Sequence, residues 1–233
     1  MHKEAVYIYG VAKGANFPLT MKAITLTTER HKGQTRADGV TPYSEHPIEV
    51  CRTLLNHGLL KLKLSSSLEE DRHTKDVTCA AALDHDLEED EKMTHEEIIN
   101  EFGQEVAYLT DLLTKRKGMT FEEHIKNVSQ DIRAVIIKAA DRTRNISQMA
   151  KLKEAFPIER LEKVLKETKE HVLPMMKKAR RIHLEYSDML VAFRDHIKAV
   201  MEAVEEVIKE RKENEQLRKE NEELKKELAK FQK

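Results

Sequence analysis

The chain has 233 residues, of which 36% are charged and only 5% are aromatic, and it contains 7 glycines and 5 prolines. This composition predicts an all-α protein that buries a sizeable core and exposes many charged helix faces. The formal net charge of -1 provides no global field for nucleic acid or an anionic membrane. No window approaches the roughly 18 consecutive apolar residues of a membrane span.

The first 18 residues form an N-terminal segment whose structure the sequence leaves ambiguous. Val6–Tyr9 could form a short strand, and Gly10 and Gly14 resemble turn positions. The start of the chain lacks the long apolar core of a signal peptide. Together with the missing membrane span, this predicts a soluble cytoplasmic protein.

The two cysteines, Cys51 and Cys79, lie among apolar neighbours and form no CxxC or other metal-binding spacing. They are typical of small buried thiols rather than of ligands. A reducing compartment fits this usage, although two cysteines do not exclude oxidation.

The first half of the chain is predicted to alternate helices with polar loops. The apolar spacing and the positions of glycine and proline place helices at about 19–32, 48–60 and 76–87, with loops at 36–47 and 61–75. Thr94 then precedes Glu97 by three residues, which predicts a capping box at the start of a helix that runs to Phe102 and Gly103.

The second half continues as helices at 104–113, 121–127 and about 129–151, with Gly118 separating the first two. No glycine follows Gly118 and no proline follows Pro174. The chain from Met175 onward therefore contains no helix-breaking residue, which predicts uninterrupted helix. We expect one domain over 19–195 and a C-terminal helical segment over 196–233.

That C-terminal segment carries an a/d heptad pattern of apolar residues and asparagines, at Asn214, Leu217, Asn221, Leu224, Leu228 and Phe231. Asparagines at two successive a positions favour a parallel two-stranded coiled coil, and therefore a homodimer. The alternative is a solvated single helix, because the repeat extends over only about three heptads.

Six of the eight residues at positions 84–91 are acidic, and His85 lies among them. A neutral imidazole beside carboxylates can hold a hard or borderline divalent cation. If this stretch is helical, Glu89 lies one turn beyond His85 and Asp86, and Asp90 lies one turn beyond Asp86. One helix face would then carry metal ligands and proton-transferring carboxylates. The alternative is a solvated acidic surface.

Two further residues are candidate ligands from other parts of the chain. His46 lies between Pro42 and Pro47 in a turn, and Asp141 interrupts an apolar run. An aspartate in such a run requires a cationic partner or a metal. Taken singly, His46 could equally be a capping residue and Asp141 a salt-bridged helix residue.

The order of these motifs along the chain is more specific than any one of them. In sequence they are His31, Gln34, Arg36, Gly39, Pro42-Tyr43, His46-Pro47, Ala80–Leu83, His85-Asp86, Glu89-Asp90, Phe102-Gly103, Asp131–Arg133, Lys138, Asp141-Arg142 and Asn145. This set resembles the hydrolase domain of RelA/SpoT-type alarmone enzymes, which belong to the HD phosphohydrolase superfamily. The similarity spans about Leu19 to Arg180, and nothing after it resembles the synthetase domain of the long enzymes.

The resemblance implies an HD-domain helical fold with a long C-terminal helix or coiled coil. It also implies a single manganese ion held by His46, His85, Asp86 and Asp141, a ligand set whose carboxylates suit Mn²⁺. The implied reaction is hydrolysis of ppGpp or pppGpp to GDP or GTP and pyrophosphate.

The resemblance assigns further roles to residues around the metal. Glu89 and Asp90 match the acidic pair that orients water and moves protons. Arg36 matches a residue that contacts substrate phosphates, for which a guanidinium is well shaped. Asn145 matches a nucleoside-contacting asparagine. Lys138 could lie near a phosphate or be a surface lysine.

Three departures from the family pattern fall around the substrate and the metal. Ala37-Asp38 follows Arg36 where the family commonly has a lysine, so one phosphate-facing cation is missing. Gln148 ends a stretch that usually reads Met-Arg-Thr, and Asp84 replaces leucine before the His-Asp pair, which adds a carboxylate near the expected metal.

These departures keep two other functions open. One is HD phosphohydrolysis of another nucleotide, such as ppApp, a deoxynucleotide or the 2′-phosphate of NADPH. The other is a catalytically silent module that binds a nucleotide or a partner, although the complete set of ligands and carboxylates argues against it. In all three cases we expect a small-molecule nucleotide as the partner of the site.

Overall fold

A computed structural model describes residues 3–231. Met1 and His2 of the predicted N-terminal segment, and Gln232 and Lys233 of the predicted C-terminal segment, lie outside the described residues. Within 3–231 the chain forms helices joined by short turns, with no β-strand, so the predicted all-α class is confirmed. The helices are α1 (Lys3–Ala15), α2 (Pro18–Arg30), α3 (Glu45–Asn56), α4 (Leu68–Asp84), α5 (His95–Phe102), α6 (Gln104–Leu113), α7 (Phe121–Val128), α8 (Ile132–Lys151), α9 (Ile158–Glu167), α10 (Leu173–Ile182) and α11 (Ser187–Phe231).

The strand predicted at Val6–Tyr9 is wrong, because these residues lie inside α1. Ala5, Ile8 and Ala12 recur at helical spacing and are fully or nearly fully buried, where α1 packs against α2 and α3. Val6 and Tyr7 have high strand propensity, but they lie on the exposed side of the helix. The packing of one apolar face therefore overrides local propensity.

The polar connection predicted at 61–75 is wrong from Leu68 onward, where α4 begins. Ser67 caps this helix, since its side chain accepts a hydrogen bond from the Glu70 amide. Lys75 is buried, and its ammonium donates to the Leu62 carbonyl at 2.6 Å and to Asp71 at 2.6 Å. The polar residues that suggested a loop are thus caps and internal partners of a helix.

The predicted continuation of this helix to Leu87 is also wrong, because α4 ends at Asp84. Residues 85–90 form hydrogen-bonded turns in which the Leu87 amide donates to the Asp84 carbonyl at 3.0 Å. The capping box predicted at Thr94 and Glu97 is confirmed, with the Thr94 amide donating to the Glu97 carboxylate at 2.7 Å.

Helix α8 is the central element of the fold and packs against α3, α4, α6 and α11. Ile136, Ile137, Ala139 and Ala140 are completely buried along it. Ala80–Ala82 of α4 are also completely buried, and such small side chains allow close approach of neighbouring helices. The functional residues described below extend from this rigid centre.

The uninterrupted helix predicted from Met175 is wrong, because the chain turns between α10 and α11 without glycine or proline. A 3-10 turn at Leu184–Tyr186 separates the two helices, and Tyr186 is buried there. The first half of α11 packs against α8, with Phe193 and Ile197 fully buried. The packing of these side chains, rather than a breaker residue, therefore sets the boundary.

The second half of α11 extends away from this core. The heptad leucines Leu217, Leu224 and Leu228 are all exposed within the single chain. The Asn221 side chain donates to the Leu217 carbonyl of its own helix at 2.9 Å. Phe231 ends the described helix.

Candidate metal centre

Three separate elements bring the four predicted ligands together. His46 is the second residue of α3, His85 and Asp86 follow the end of α4, and Asp141 lies in the middle of α8. Ligand atoms of His46, His85 and Asp86 all lie within 4.8 Å of one another. Asp141 Oδ1 lies 3.2 Å from His46 Nε2 and 3.8 Å from His85 Nε2.

The orientation of His85 suits a cation. Its Nδ1 lies 2.8 Å from the Ala82 carbonyl, to which it donates, so Nε2 keeps its lone pair. This Nε2 is buried and makes no hydrogen bond within the described chain, although Asp86 Oδ1 lies 3.2 Å away. A buried imidazole nitrogen with a free lone pair beside carboxylates fits the donor set of a divalent metal.

The charge balance of the cluster also fits a cation. Burial raises the pKa of Asp141, but Lys138, His46 and His85 outweigh this effect and hold it well below its usual range. Burial lowers the pKa of His85, whereas Asp86 and Asp141 raise it, to about 9 overall. Two carboxylates therefore draw a positive charge into this site, which a metal ion would supply.

Tyr43 is a member of the cluster that the sequence placed only in the site wall. Its hydroxyl donates to Asp86 Oδ2 at 2.8 Å, and its ring lies 4.7 Å from that of His31. Burial and the Asp86 carboxylate raise the pKa of Tyr43, so the phenol stays protonated. Tyr43 thereby fixes the orientation of a candidate ligand.

The structure separates the two acidic residues predicted to act as a pair. Glu89 faces the cavity beside the cluster, where its carboxylate accepts from the Lys115 amide at 2.9 Å and partial desolvation raises its pKa. Asp90 turns away from the cavity lining and accepts from the Gln34 side chain at 3.4 Å. Gln34 in turn contacts His31 at 2.8 Å.

Arg36 lies where two elements of the cavity wall meet. Its guanidinium is 5.3 Å from the centre of the Tyr43 ring and donates to Asn145 Oδ1 at 3.3 Å and to Gln148 Oε1. Asn145 also donates to Asp141 Oδ1 at 2.6 Å. Gln148, which the sequence singled out only as a departure, thus holds the arginine in place.

Lys138 lies on the other side of Asp141, one helical turn earlier in α8. Its ammonium is 3.0 Å from Asp141 Oδ2 and it lines the cavity, so it is not a surface lysine of the kind the sequence left open. The cavity has a volume of about 540 Å³, which is within the range of small-molecule sites.

The end of the cavity near Lys138 contains two residues that the sequence did not indicate. His124 of α7 is 1% exposed, and neither ring nitrogen has a hydrogen-bond partner in the described chain. Burial, followed by the charge of Lys138, lowers the pKa of His124 to about 3. Arg142 is also buried here, 3.5 Å from Glu167. The only sequence signal for His124 was its place on the inner face of an amphipathic helix.

Asp84 does not add a carboxylate to the centre, contrary to the expectation from sequence. It is the last residue of α4, is completely buried, and does not line the cavity. Neither carboxylate oxygen has a hydrogen-bond partner within the described residues, and burial raises the pKa of Asp84 well above its usual range. It is therefore a neutral acid in the core.

The comparison with known families agrees with this helical site of histidines and aspartates. The family described as "HD domain" matches residues 23–170, which is more than half of the chain. The chain belongs to the HD-domain family, and the predicted fold is confirmed.

Within this family, the chain is similar to alarmone enzymes. It is 30% identical over 172 residues to the guanosine-3′,5′-bis(diphosphate) 3′-pyrophosphohydrolase of Haemophilus influenzae, which covers 69% of this chain and 22% of that protein. It is 32% identical over 171 residues to a probable GTP pyrophosphokinase of Mycobacterium leprae, with 69% of this chain and 19% of that protein covered. The chain thus spans about a fifth of the length of these relatives.

A solved structure has a related fold. Its title is "A metazoan ortholog of SpoT hydrolyzes ppGpp and plays a role in starvation responses", and it matches with a TM-score of 0.54 at 21% identity. The match covers 83% of this chain and 96% of that chain. The predicted resemblance to RelA/SpoT-type hydrolase domains is confirmed at this level.

Proposed function

We propose that this protein is a manganese-dependent hydrolase that converts ppGpp or pppGpp to GDP or GTP and pyrophosphate. The observation that carries the proposal is the cluster of two imidazoles and two carboxylates facing a cavity of about 540 Å³, with His85 Nε2 left unpaired. The names of the relatives from Haemophilus influenzae and of the metazoan structure support the substrate.

His46, His85, Asp86 and Asp141 would hold the metal. When bound, manganese supplies Lewis-acid chemistry, which stabilises negative charge on a phosphoryl group and makes water more acidic. The oxygen-rich half of the ligand set favours Mn²⁺ over softer ions, and the two imidazoles are compatible with it.

Other residues of the chain would prepare this site for water and substrate. Tyr43 orients Asp86, and Lys138 keeps Asp141 ionised. Glu89 faces the cavity with a raised pKa, as expected of a carboxylate that accepts a proton from attacking water and passes it on. Asp90 would act at a distance, by anchoring Gln34 and His31 behind Tyr43.

The nucleoside part of the substrate would lie against Arg36, Asn145 and Gln148. A guanidinium plane above an aromatic ring offers a stacking surface and donors for phosphate. Ala37 lines the cavity beside it without a charge, so Arg36 is the main cation at this end of the described cavity.

The same geometry supports a second candidate function, hydrolysis of another nucleotide by the same metal mechanism. The observation that favours it is the contact between Gln148 and Arg36, which changes the donors and acceptors offered to a base. A catalytically silent binding module is the third candidate. It would leave Glu89 at the cavity without a task.

The decisive test incubates the purified protein with manganese, and then with chelator, against ppGpp, ppApp, NADPH and deoxynucleoside triphosphates. Ion exchange resolves the products. Chelator-sensitive conversion of ppGpp to GDP and pyrophosphate is the expected result. Turnover of a different nucleotide would support the second candidate function, and no turnover of any would support a binding module.

The assembly and location belong to the same proposal. The domain over 19–195 would hold the hydrolase site, and the segment over 196–233 would pair with a second copy through the exposed Leu217, Leu224 and Leu228. No helix among residues 3–231 has the length and apolar character to cross a membrane. The free thiols of Cys51 and Cys79 fit a reducing cytoplasm.

A further inference from the structure

The cavity extends to both sides of the metal centre along α8. Asn145 and Gln148 follow Asp141 by one and two turns, and Lys138 precedes it by one turn. At about 1.5 Å of rise per residue, Lys138 and Gln148 are roughly 15 Å apart along the helix axis. A ligand that spans the centre must therefore meet two chemically different ends.

The end beyond Lys138 carries an unexplained polar group. His124 is 1% exposed and lines the cavity, yet neither of its nitrogens has a hydrogen-bond partner in the described chain. A buried polar group without a partner costs free energy, so such a group at a cavity wall indicates a partner that arrives with a ligand.

The neighbours of His124 define the charge of that partner. Lys115 and Lys138 line the same end of the cavity, and both disfavour a proton on His124. Arg142 adds a further positive charge, although Glu167 lies 3.5 Å from it. An imidazole with a free N–H, surrounded by cations, is suited to an anionic oxygen.

The opposite end is unsuited to a second diphosphate. Arg36 is its main cation, and the amide oxygens of Asn145 and Gln148 already accept from the guanidinium. Its stacked rings and amides suit a nucleoside better than a dense negative charge. The two ends therefore assign a direction to the substrate.

We propose that His124, Lys115 and Lys138 form a subsite for the distal phosphate of the pyrophosphate group that is transferred to water. The inference rests on the proposed function. In that reaction water oxygen bonds to the inner phosphorus of the 3′-diphosphate, the bond from this phosphorus to O3′ breaks, and O3′ receives a proton. The released pyrophosphate contains both phosphorus atoms, so its outer phosphate needs a place beyond the metal centre.

The subsite makes the enzyme selective for a diphosphate over a monophosphate at the reacting position. A 3′-monophosphate, or the 2′-phosphate of NADPH, would reach the metal ligands but leave His124 without a partner. Loss of a partner by a buried group is a strong source of discrimination. His124 is thus a specificity-determining residue that touches substrate.

The test uses the full chain and inorganic pyrophosphate as the probe, with orthophosphate for comparison. NMR of the histidine side chains without manganese follows the His124 ring, and calorimetry gives the affinities. His124→Phe removes both nitrogens while keeping a buried ring. His171→Phe is the matched control, since His171 contacts the same Phe121 ring at 5.7 Å but does not line the cavity.

Pyrophosphate is expected to shift the His124 resonances, and His124→Phe to weaken its binding at least tenfold while His171→Phe leaves it unchanged. With manganese present, His124→Phe should lower kcat/KM for ppGpp but not for the analogue with a 3′-monophosphate. His124→Gln, which keeps a donor, should restore part of the affinity.

An unmoved His124 resonance in the wild-type protein, or equal pyrophosphate affinity in His124→Phe, would overturn the subsite even if ppGpp is hydrolysed. The wild-type resonance decides the question should the variant fail to fold. Binding that depends on His124 in a protein that does not hydrolyse ppGpp would instead keep the subsite and refute the proposed reaction.

Discussion

Helix α8 and the second half of α11 are both rich in charged residues, but they place them in opposite environments. In α8, Asp141 and Arg142 are buried, and Lys138 pairs with Asp141 at 3.0 Å. In α11, Lys219 and Glu215 pair at the same distance while both stay exposed. Charges interact far more strongly away from water. The same residue types therefore create a reactive centre in α8 and a soluble surface in α11.

The largest effect is expected where a charge of the centre is removed. Asp141→Ala or Asp86→Ala should abolish manganese binding in calorimetry and turnover of the nucleotide, because each deletes a ligand and leaves the imidazoles uncompensated. Asp195→Ala, at an exposed aspartate of α11, should change neither. Activity in either ligand variant that survives chelator would refute the metal mechanism.

A smaller loss is expected when only the orientation of a ligand is disturbed. Tyr43→Phe removes the donor to Asp86 and should weaken manganese binding by about 10–100-fold, the range typical of groups that orient metal ligands. Tyr108→Phe changes an exposed tyrosine and provides the control. Equal manganese affinity in both variants would mean that Asp86 needs no support.

A gain in stability is expected at Asp84, a buried acid that the centre does not use. Asp84→Leu should raise the free energy of unfolding by about 1–3 kcal/mol, because it removes a buried carboxyl group without partners. Asp84→Asn keeps an unpaired polar group and should gain less in a thermal melt. A lower Tm for Asp84→Leu would show that the carboxyl group has a structural partner.

The packed half of α11 should give a modest dependence of stability on pH. His57 stacks on Phe193 at 4.1 Å and meets His196 of α11 at 3.2 Å between ring nitrogens. Burial lowers the pKa of both histidines, and Arg144 contributes at His196. The unfolded chain therefore binds more protons, so stability is lost as the pH falls below about 6.5.

Chemical denaturation of wild type and of His57→Phe between pH 7.5 and 5 measures this effect. The variant should show a weaker loss of stability on acidification, while replacement of the exposed His95 by glutamine leaves the wild-type slope unchanged. Identical slopes in wild type and His57→Phe would remove His57 from the explanation.

The smallest effect on chemistry is expected in the exposed half of α11. Deletion of the residues after Glu210 should leave turnover intact, since no residue beyond this point lines the described cavity. The mass measured by light scattering should fall from dimer to monomer, because the exposed leucines are lost. An unchanged mass after allowance for the deleted residues would refute the coiled-coil dimer.

Sequence patterns were sufficient for some elements and insufficient for others. The capping box at Thr94 depends on two side chains three residues apart, and it formed as predicted. The helix start at Ser67 and the break before Ser187 did not follow from local signals. Lys75 and Tyr186 decide them, through contacts with distant parts of the chain that no local pattern contains.

The candidate site divides in the same way. The order of the motifs predicted His46, His85, Asp86 and Asp141 as neighbours, because each ligand type limits the chemistry that can surround it. Asp90 was expected beside Glu89 at the centre, yet it points to Gln34, since residues 85–90 form turns and not the helix assumed from sequence.

By itself, the sequence determined the all-α class, the HD family and the residue types able to hold a metal, because composition, periodicity and motif order are properties of the chain. Only the tertiary structure decided that Asp84 is a neutral core residue, that Gln148 holds Arg36, and that His124 faces the cavity without a partner. The reason is physical: burial, pairing and pKa depend on which distant residues surround a group, and the fold alone brings them together.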